Sequence, residues 1–488
     1  MANGGIIGPV NNPTADLATG VWELEEQYQA QVGGIWPPIP AIGLNSCRFN
    51  SASSDYLSKS VSASNRTTWT WSSWVKRSKL GANEDLFSSY ADANNYTDLR
   101  FFGTNDNLQF RNLASGSFVG RKYTNAQYRD PSAWYHIVAV WDTTDGTAAD
   151  RQRLYVNGER LTSFLTTGNP SSSGNSQINA SGSLQIGSQN AADFFNGYIS
   201  ETIFVDGTAL EPTSFGESDA NGFWKPIIPA VPAYGTNGFR LKFEDAASLG
   251  TDSSPNGNNF TVNNLTSIDQ STDYPVNNFC TMSPLTLSTD ATLSEGNCNV
   301  TYGTAATRKA VFGTFAPESG KWYWETKITA TSQAAVEINL GISNTMNPAL
   351  IGNALVSTNG YAISYFNGGY IYTGTTQAQT GLGNLAVNDI IGHALDLSAN
   401  TLQFYKNGST LGSAQSITSQ TSGEMSGWTP AVACSSGGQT FTAGYNFGSP
   451  TFSISSGNAD GNGYGDFEYA PPSGFLALCT ANLSEELS

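Results

Sequence analysis

Charge is scarce in this chain. Of 488 residues, 12% are Asp, Glu, Lys or Arg, and the basic ones are the fewer: 22 against 39, a formal net charge of −17. That balance argues against a nucleic-acid partner, whose phosphates call for Lys/Arg stripes. Histidine is rarer still, at His136 and His393 alone. A His-based triad or His-rich metal site repeated along the chain would lack its partners. The five cysteines (Cys47, Cys280, Cys298, Cys434, Cys479) form no CxxC pair. Neither a zinc site nor a disulfide framework is indicated, and buried free thiols made in a reducing cytoplasm are expected. No apolar run approaches the ~20 residues of a membrane span, so no membrane insertion is expected. Met1–Val10 has no basic region ahead of a long apolar core and does not read as a secretory signal.

Glycine, by contrast, is abundant at 51 residues, and aromatics reach 12%. With many Ser, Thr and Asn, this suggests β-sandwiches with long polar loops. The clearest local signal is Arg153–Leu161, RLYVNGERL. It reads as two strands joined by a two-residue Asn157-Gly158 turn, in which both central residues take φ > 0. The register puts Leu154 opposite Leu161. The same device recurs in LQFYKNGSTL, with Phe404 opposite Leu411 around Asn407-Gly408. A lone hairpin is marginal in water. Each copy therefore implies a larger sheet around it, and the chain is expected to hold two all-β domains.

Four regions follow in order. Residues 1–45 are an expected amino-terminal anchor. A Gly/Asn/Pro-rich start leads to a short helix at about 21–32, where Val21, Leu24 and Tyr28 share a face beside Trp22. Ile35 and Trp36 open a stiff, polyproline-like run. A helix this short is marginal unless its apolar face docks, either on its own domain or on another protein. Residues 46–222 alternate as strands, with Trp69 and Trp71 on one face of TWTWSSWVK and Trp74 on the other, and with AWYHIVAVWD as the strongest strand. Residues 223–290 are a bridging segment too long for a simple linker, with a stiff PIIPAVP spacer and with Phe260 and Val262 as anchors. It is expected to pack across both domains or on a neighbouring subunit. Residues 291–488 form a second set of strands, and Phe475, Leu476 and Leu478 are expected to pin the tail.

In residues 46–222, WYHIVAVWD, RLYVNGERL, SLQIGS and FNGYISETIFVDGTAL resemble, in that order, the laminin-G-like, concanavalin-type jelly roll. In residues 291–488, GKWYWETKI, EINLGIS, DIIGHALDLSANTLQFYKNGSTL and AGYNFGSPTF resemble the SPRY domain. The resemblance implies an all-β fold: two concanavalin-like antiparallel β-sandwiches in tandem behind a short helical or extended anchor. GVWELEEQYQAQVGGIWPP, the connector GFRLKFEDAASLGTDSSPNGNNFTVNNL and the ending FEYAPPSGFLALCTANL resemble structural proteins of marine tailed phages. That similarity implies a virion surface protein, made in the host cytoplasm. It would be a tail-fibre or receptor-binding component, with a capsid decoration or head-fibre protein as the alternative. It would hold other virion proteins through residues 1–40 and bind a host-surface glycan or protein. Fibre analogy suggests a homo-oligomer, with a trimer favoured.

Candidate chemistry is thin. Each histidine lies in an alternating strand just upstream of its hairpin, which points to packing at equivalent positions rather than catalysis. A glycosidase, the enzymatic alternative for this fold, needs two carboxylates flanking the sugar. Glu201 and Asp206 are five apart and face opposite sides of a strand, and Glu325 has no acid at i+2 or i+4. No enzymatic activity is expected, and no cofactor beyond a weak calcium candidate. Asp460, Asn462, Asp466 and Glu468 offer oxygens at near-alternate positions, but a polar turn is the simpler reading, since Pro471 takes the place of the ligating Glu at position 12. Asp92, Asp98 and Asp193 are further loop acids that nothing in the sequence brings together. Sugar binding needs exposed aromatic faces and amide side chains. Tyr90, Asn94, Asn95 and Tyr96, and Tyr365, Asn367 and Tyr370, are the loop candidates. Ordinary aromatic-rich sandwich surface is the competing reading.

Overall fold

The computed structural model describes residues 44–287, 291–303, 310–332, 338–346, 362–366, 369–374, 376–417, 425–434 and 440–483. The anchor residues Val21, Trp22, Leu24, Tyr28, Ile35 and Trp36 lie outside the described residues, as does Asn367.

Two β-sandwiches follow one another. In the first, one sheet runs in spatial order Glu159–Arg160, Gln152–Val156, Trp134–Asp142, Thr68–Arg77, Gly197–Asp206, Ser46–Phe49 and Gln270–Ser271, with Phe239–Leu241 also paired to Gly197–Asp206. The facing sheet runs Phe164–Gly168, Ser117–Gln127, Asn107–Ala114, Asn95–Phe102, Glu84–Asp92, Gly182–Ile186, Tyr56–Val61 and Thr261–Asn263. Period-2 alternation decides which side chains meet between them. Trp69, Trp71 and Val75 point inward against Phe87, Phe110, Ile137 and Trp141, while Trp74 points outward. Full burial of such a side chain contributes roughly 2–3 kcal/mol.

The second sandwich repeats the plan. One sheet orders Ala291–Ser294, Asn299–Tyr302, Phe441–Asn446, Lys321–Thr331, Ile390–Asp396, Thr401–Lys406 and Ser409–Ser416. The other orders Ala310–Phe312, Thr429–Cys434, Ile338–Ser343, Ala362–Phe366, Tyr370–Thr373 and Thr376–Gln379. Trp322, Trp324, Ile328, Phe404 and Tyr445 lie in the core between them. The tail is pinned where Leu476–Ala477 adds in parallel beside Trp322 and Tyr323, and Leu478 enters the core.

Both Asn-Gly turns take the expected form, with φ of 50° and 81° at Asn157 and Gly158, and 50° and 78° at Asn407 and Gly408. Leu161 N–H donates to Leu154 O at 2.9 Å, and Phe404 pairs with Leu411. Each turn asparagine also ties its hairpin to the preceding strand. Asn157 Oδ1 accepts from His136 N–H at 2.8 Å, and Asn407 Oδ1 accepts from Ile390 N–H at 2.9 Å.

That stitch corrects the view that the histidines are equivalent. His136 is itself the residue held by its turn asparagine, whereas His393 lies three positions beyond Ile390. An odd offset in a strand reverses the face. His393 therefore points into the inter-sheet core, stacked on Trp324 at 5.0 Å, while His136 lies on the outer face, stacked on Trp74 at 4.8 Å.

The bridging segment adds strands and core residues to the first sandwich. Its residues supply Phe239–Leu241, Thr261–Asn263 and Gln270–Ser271 to the first sandwich, and Phe260 lies in that core with Val262 packed against it. It also fastens the two sandwiches through buried polar contacts. Lys76 Nζ meets Asp273 at 2.7 Å and Asn278 at 2.6 Å, and Ser271 Oγ meets Ser449 Oγ at 2.7 Å. Across the seam Arg48, fully buried, lies 3.5 Å from Glu295, and Tyr198 Oη donates to Gly296 O at 3.0 Å. All five cysteines are buried, and none forms a disulfide.

Candidate functional site

The residues that follow the first jelly roll fold back over its outer face. Gly216–Ser218 and Trp224–Pro226 form a small hairpin, and Phe215 with Leu210, Val231 and Tyr234 covers Val138, Val140, Ile203 and Val205. The hairpin brings Trp224 beside His136, at 5.9 Å and nearly parallel. Trp224 Nε1–H donates to His136 Nδ1 at 2.9 Å. An indole nitrogen can only donate, so Nδ1 is the bare nitrogen. The ring proton therefore sits on Nε2, which faces Ser72 Oγ at 2.8 Å. Burial pushes the His136 pKa down to about 3, and does the same to His393. Neither imidazole is poised to exchange protons near neutrality.

Next to this stack an open groove of about 830 Å³ runs along the tip of the Asn157-Gly158 hairpin. Trp74, Trp134, Tyr135, Phe223 and Trp224 supply aromatic surface, and Gln127, Asn157, Glu159 and Ser218 supply polar groups. Phe223 is 71% exposed. Among the described residues, Glu159 is the one carboxylate lining the groove, and no Lys or Arg lines it. Aromatic faces bordered by amides and a carboxylate suit the apolar faces and hydroxyls of a sugar.

The loops expected to hold sugar contribute differently. Asn94 and Asn95 build their own turn: Asp92 Oδ1 accepts from Asn94 N–H at 2.7 Å and from Asn95 Nδ2 at 3.0 Å, and Asn95 Oδ1 accepts from Ser115 N–H at 3.0 Å. Tyr90 and Tyr96 stack at 6.2 Å on the outer face of the second sheet, away from the groove. Tyr365 lies in the strand Ala362–Phe366. Tyr370 is half-buried and packs edge-on to Tyr372 at 6.4 Å.

Two of the calcium candidates, Asp460 and Glu468, accept from N–H donors. Asp460 Oδ1 accepts from Asn462 and Tyr464 N–H, both at 2.9 Å, and Oδ2 accepts from Ala477 N–H at 2.8 Å and Asn482 Nδ2 at 2.7 Å. Glu468 accepts from Ser455 N–H at 2.6 Å, and burial raises the pKa of Asp466. Positive N–H ends crowd the oxygens that a cation would need, so the geometry is that of a structural turn. Among the described residues no group of three or more His, Cys, Asp or Glu could hold a metal ion.

The hydrolase candidates are likewise engaged. Glu201 sits at a bulge and pairs with Arg240 at 2.8 Å, and Asp206 accepts from Asn179 Nδ2 at 2.7 Å and Asn237 N–H at 3.0 Å. Glu325 accepts from Glu468 and Tyr469 N–H at 3.0 and 2.8 Å, clamping the tail to the sheet.

Sequence reasoning missed Phe223 and Trp224. They follow the jelly roll in a segment read as a bridge, and only the fold brings them to Asn157. The available signal was the pair itself: two adjacent large aromatics in a turn-rich stretch, GFWKP.

Comparison with known families gives two matches. Residues 51–213 match the model described as Laminin_G_3, concanavalin A-like lectin/glucanases superfamily, and residues 321–448 match the SPRY domain model. The chain thus carries a concanavalin A-like domain followed by a SPRY domain. Among solved structures it is similar to the SPRY domain of human HERC1, at 19% identity over 34% of this chain and 96% of that one, with a TM-score of 0.28. It is also similar to the TRIM65 PSpry domain, at 18% identity over 34% and 91%, with a TM-score of 0.25. A third is a heptameric SAP-like pentraxin from Limulus polyphemus, at 21% identity over 32% and 71%, with a TM-score of 0.24. A comparison with curated proteins returned no match.

Proposed function

We propose that this chain is a bacteriophage virion surface protein, a tail-fibre or receptor-binding component that binds a host-surface glycan through the groove of its first sandwich. The groove carries the reading: exposed Phe223 and half-buried Trp224, backed by the buried Trp74 and Trp134, lie beside Gln127, Asn157 and Glu159. The lectin-type class of the first domain supports it. The single lining carboxylate favours binding over hydrolysis, which uses two. Attachment to the particle is assigned to residues 1–40, on their resemblance to phage virion segments.

Titration with purified host-surface polysaccharide tests the groove. Phe223→Ala removes one stacking face from an exposed position and should weaken binding by roughly tenfold, the effect of about 1–1.5 kcal/mol. Unchanged affinity would rule the groove out, and release of reducing ends would replace the adhesin with a depolymerase. Deleting residues 1–40 should leave both sandwiches folded but absent from assembled particles; normal incorporation would remove the anchor. Immunogold labelling of the particle separates a tail position from the capsid shell.

A further inference from the structure

The second sheet of the first sandwich turns one face away from the core, and the strand register fixes what stands on it. Phe87, Leu99, Phe110 and Leu184 point inward. The alternate positions form rows across neighbouring strands. Tyr90 pairs with Tyr96, Tyr96 with Leu113 and Leu113 with Phe118. In the next row Ser88 pairs with Asp98, Asp98 with Arg111 and Arg111 with Arg121. Beyond it Arg100 pairs with Gln109, and Gln109 with Tyr123. Three arginines thus share one face in a chain with only 22 basic residues.

Their charges are unevenly compensated. Arg111 makes a forked contact with Asp98, with Nε at 2.8 Å, and Asp98 also accepts from Gln189 Nε2 at 2.6 Å. Arg100 lies 3.5 Å from Asp193. Arg121 has no ion pair among the described residues, and its guanidinium lies 5.5 Å from the Phe118 ring. It stands directly across from Arg111, a like-charge arrangement that costs stability unless an anion lies between. Asp85 is fully buried with neither carboxylate oxygen hydrogen-bonded, and burial and the nearby Asp98 push its pKa up. Aromatic surface flanks the charge: Tyr96 lies 5.1 Å from the Arg111 guanidinium, Phe118 is 39% exposed, and Tyr123 stands one row away.

We propose that this face is a second glycan site, for an anionic polysaccharide whose carboxylate or sulfate group sits on Arg121 with its sugar rings against Tyr96, Phe118 and Tyr123. A guanidinium fork matches the paired oxygens of either anion. The screening length at physiological salt is about 8 Å, so a bound anion feels these arginines rather than the net charge of the distant chain. The site goes beyond the groove reading and is independent of it. The groove has no basic residue and suits uncharged sugar, whereas this face selects for charge.

The test uses the full chain with four probes: polygalacturonate, dextran sulfate, neutral dextran and oligo(dT). At least one acidic polysaccharide should bind with an affinity that falls as salt rises, and the tighter of the two identifies carboxylate or sulfate as the natural group. Arg121→Glu should weaken it by roughly tenfold or more, the scale of a charge-assisted contact. Arg121→Gln, which introduces no like-charge repulsion of its own, should give a smaller loss in the same direction. Phe223→Ala should leave polyanion binding unchanged. The proposal fails if neither acidic polysaccharide binds, if both Arg121 variants bind as the wild type does, or if neutral dextran displaces the polyanion. It also fails if oligo(dT) binds more tightly than either acidic polysaccharide, which would make the face a nucleic-acid site.

Discussion

The twin turns allow a controlled perturbation, because Gly158→Ala and Gly408→Ala place the same methyl group in the same backbone geometry. Both glycines sit at positive φ, +81° and +78°. An L-residue there costs roughly 1–2 kcal/mol. The surroundings then differ. A Cβ at position 158 would lie 2.5 Å from the Trp224 indole, and one at 408 would lie 2.6 Å from the Tyr469 ring. Tyr469 is half-buried on the surface and can swing aside. Trp224 cannot move without breaking its bond to His136 Nδ1, leaving a fully buried acceptor without a donor at a further cost of about 1–3 kcal/mol. Gly158→Ala should therefore destabilise by about 2–5 kcal/mol and Gly408→Ala by about 1–2 kcal/mol. Calorimetry measures both losses. Tryptophan emission should shift to the red in the first variant alone, as Trp224 swings into water. Because Trp224 walls the groove, only Gly158→Ala should lose affinity for host polysaccharide. Wild-type affinity in Gly158→Ala, or equal loss in both variants, would refute the coupling of turn to groove.

Three further outcomes follow from the buried polar groups. His136 and His393 are held neutral with pKa values of about 3, so the stability each contributes is complete above about pH 6.5, where the unfolded chain also keeps it neutral, and is lost as pH falls from there toward 3. Glu84 and Asp55, pushed up to about 7 by burial, act oppositely and gain stability as pH falls from 7 toward 4.5 and 3.8. Whole-protein stability should thus change little over this range, while the margin of wild type over the non-titrating His393→Gln should shrink by about 2 kcal/mol between pH 7 and pH 5 in urea titrations. A constant margin would show that His393 takes up a proton while folded. Glu325→Ala strips the acceptor from Glu468 and Tyr469 N–H, and should cost about 2–4 kcal/mol and expose those two amides to hydrogen exchange. Asp460→Ala should cost about 2–4 kcal/mol by freeing four donors. A melting temperature of the wild-type chain that rises with calcium would instead restore the metal reading.

The strand plan was legible because its signals are local. Alternation in TWTWSSWVK and AWYHIVAVWD, and the two Asn-Gly turns, depend on neighbours in sequence, and the register follows from turn geometry. What the sequence hid depends on long-range closure. Phe239–Leu241 and Thr261–Asn263 are three-residue strands whose partners lie at Thr202–Phe204 and Tyr56–Ser58, and nothing in their own pattern names those partners. Asn94 and Asn95 looked available for sugar because side-chain amides suit both ligands and turns. The Asn95 amide is taken by the Asp92 carboxylate and Ser115 N–H, while Asn94 bonds Asp92 through its backbone N–H. The shared turn made the histidines look equivalent, while the three-residue offset that sends them to opposite faces becomes visible only once the asparagine stitch is located. The arginine rows were hidden for the same reason: Arg100, Arg111 and Arg121 are ten or so residues apart in sequence and become neighbours only in the sheet.

The seam between the sandwiches also has a mechanical meaning. The described chain enters at Ser46–Phe49, a strand paired on one flank with Gly197–Ile199 and on the other with Gln270–Ser271. A pull directed along this strand slides it against both neighbours, so several backbone bonds must yield together instead of opening one at a time from an end. Arg48, within the same strand, reaches Ile268 O at 2.6 Å and Pro450 O at 3.4 Å, so part of the load passes directly into the second sandwich. If residues 1–40 tether the chain to a particle as proposed, the tension of flow would be borne at this shear-loaded joint.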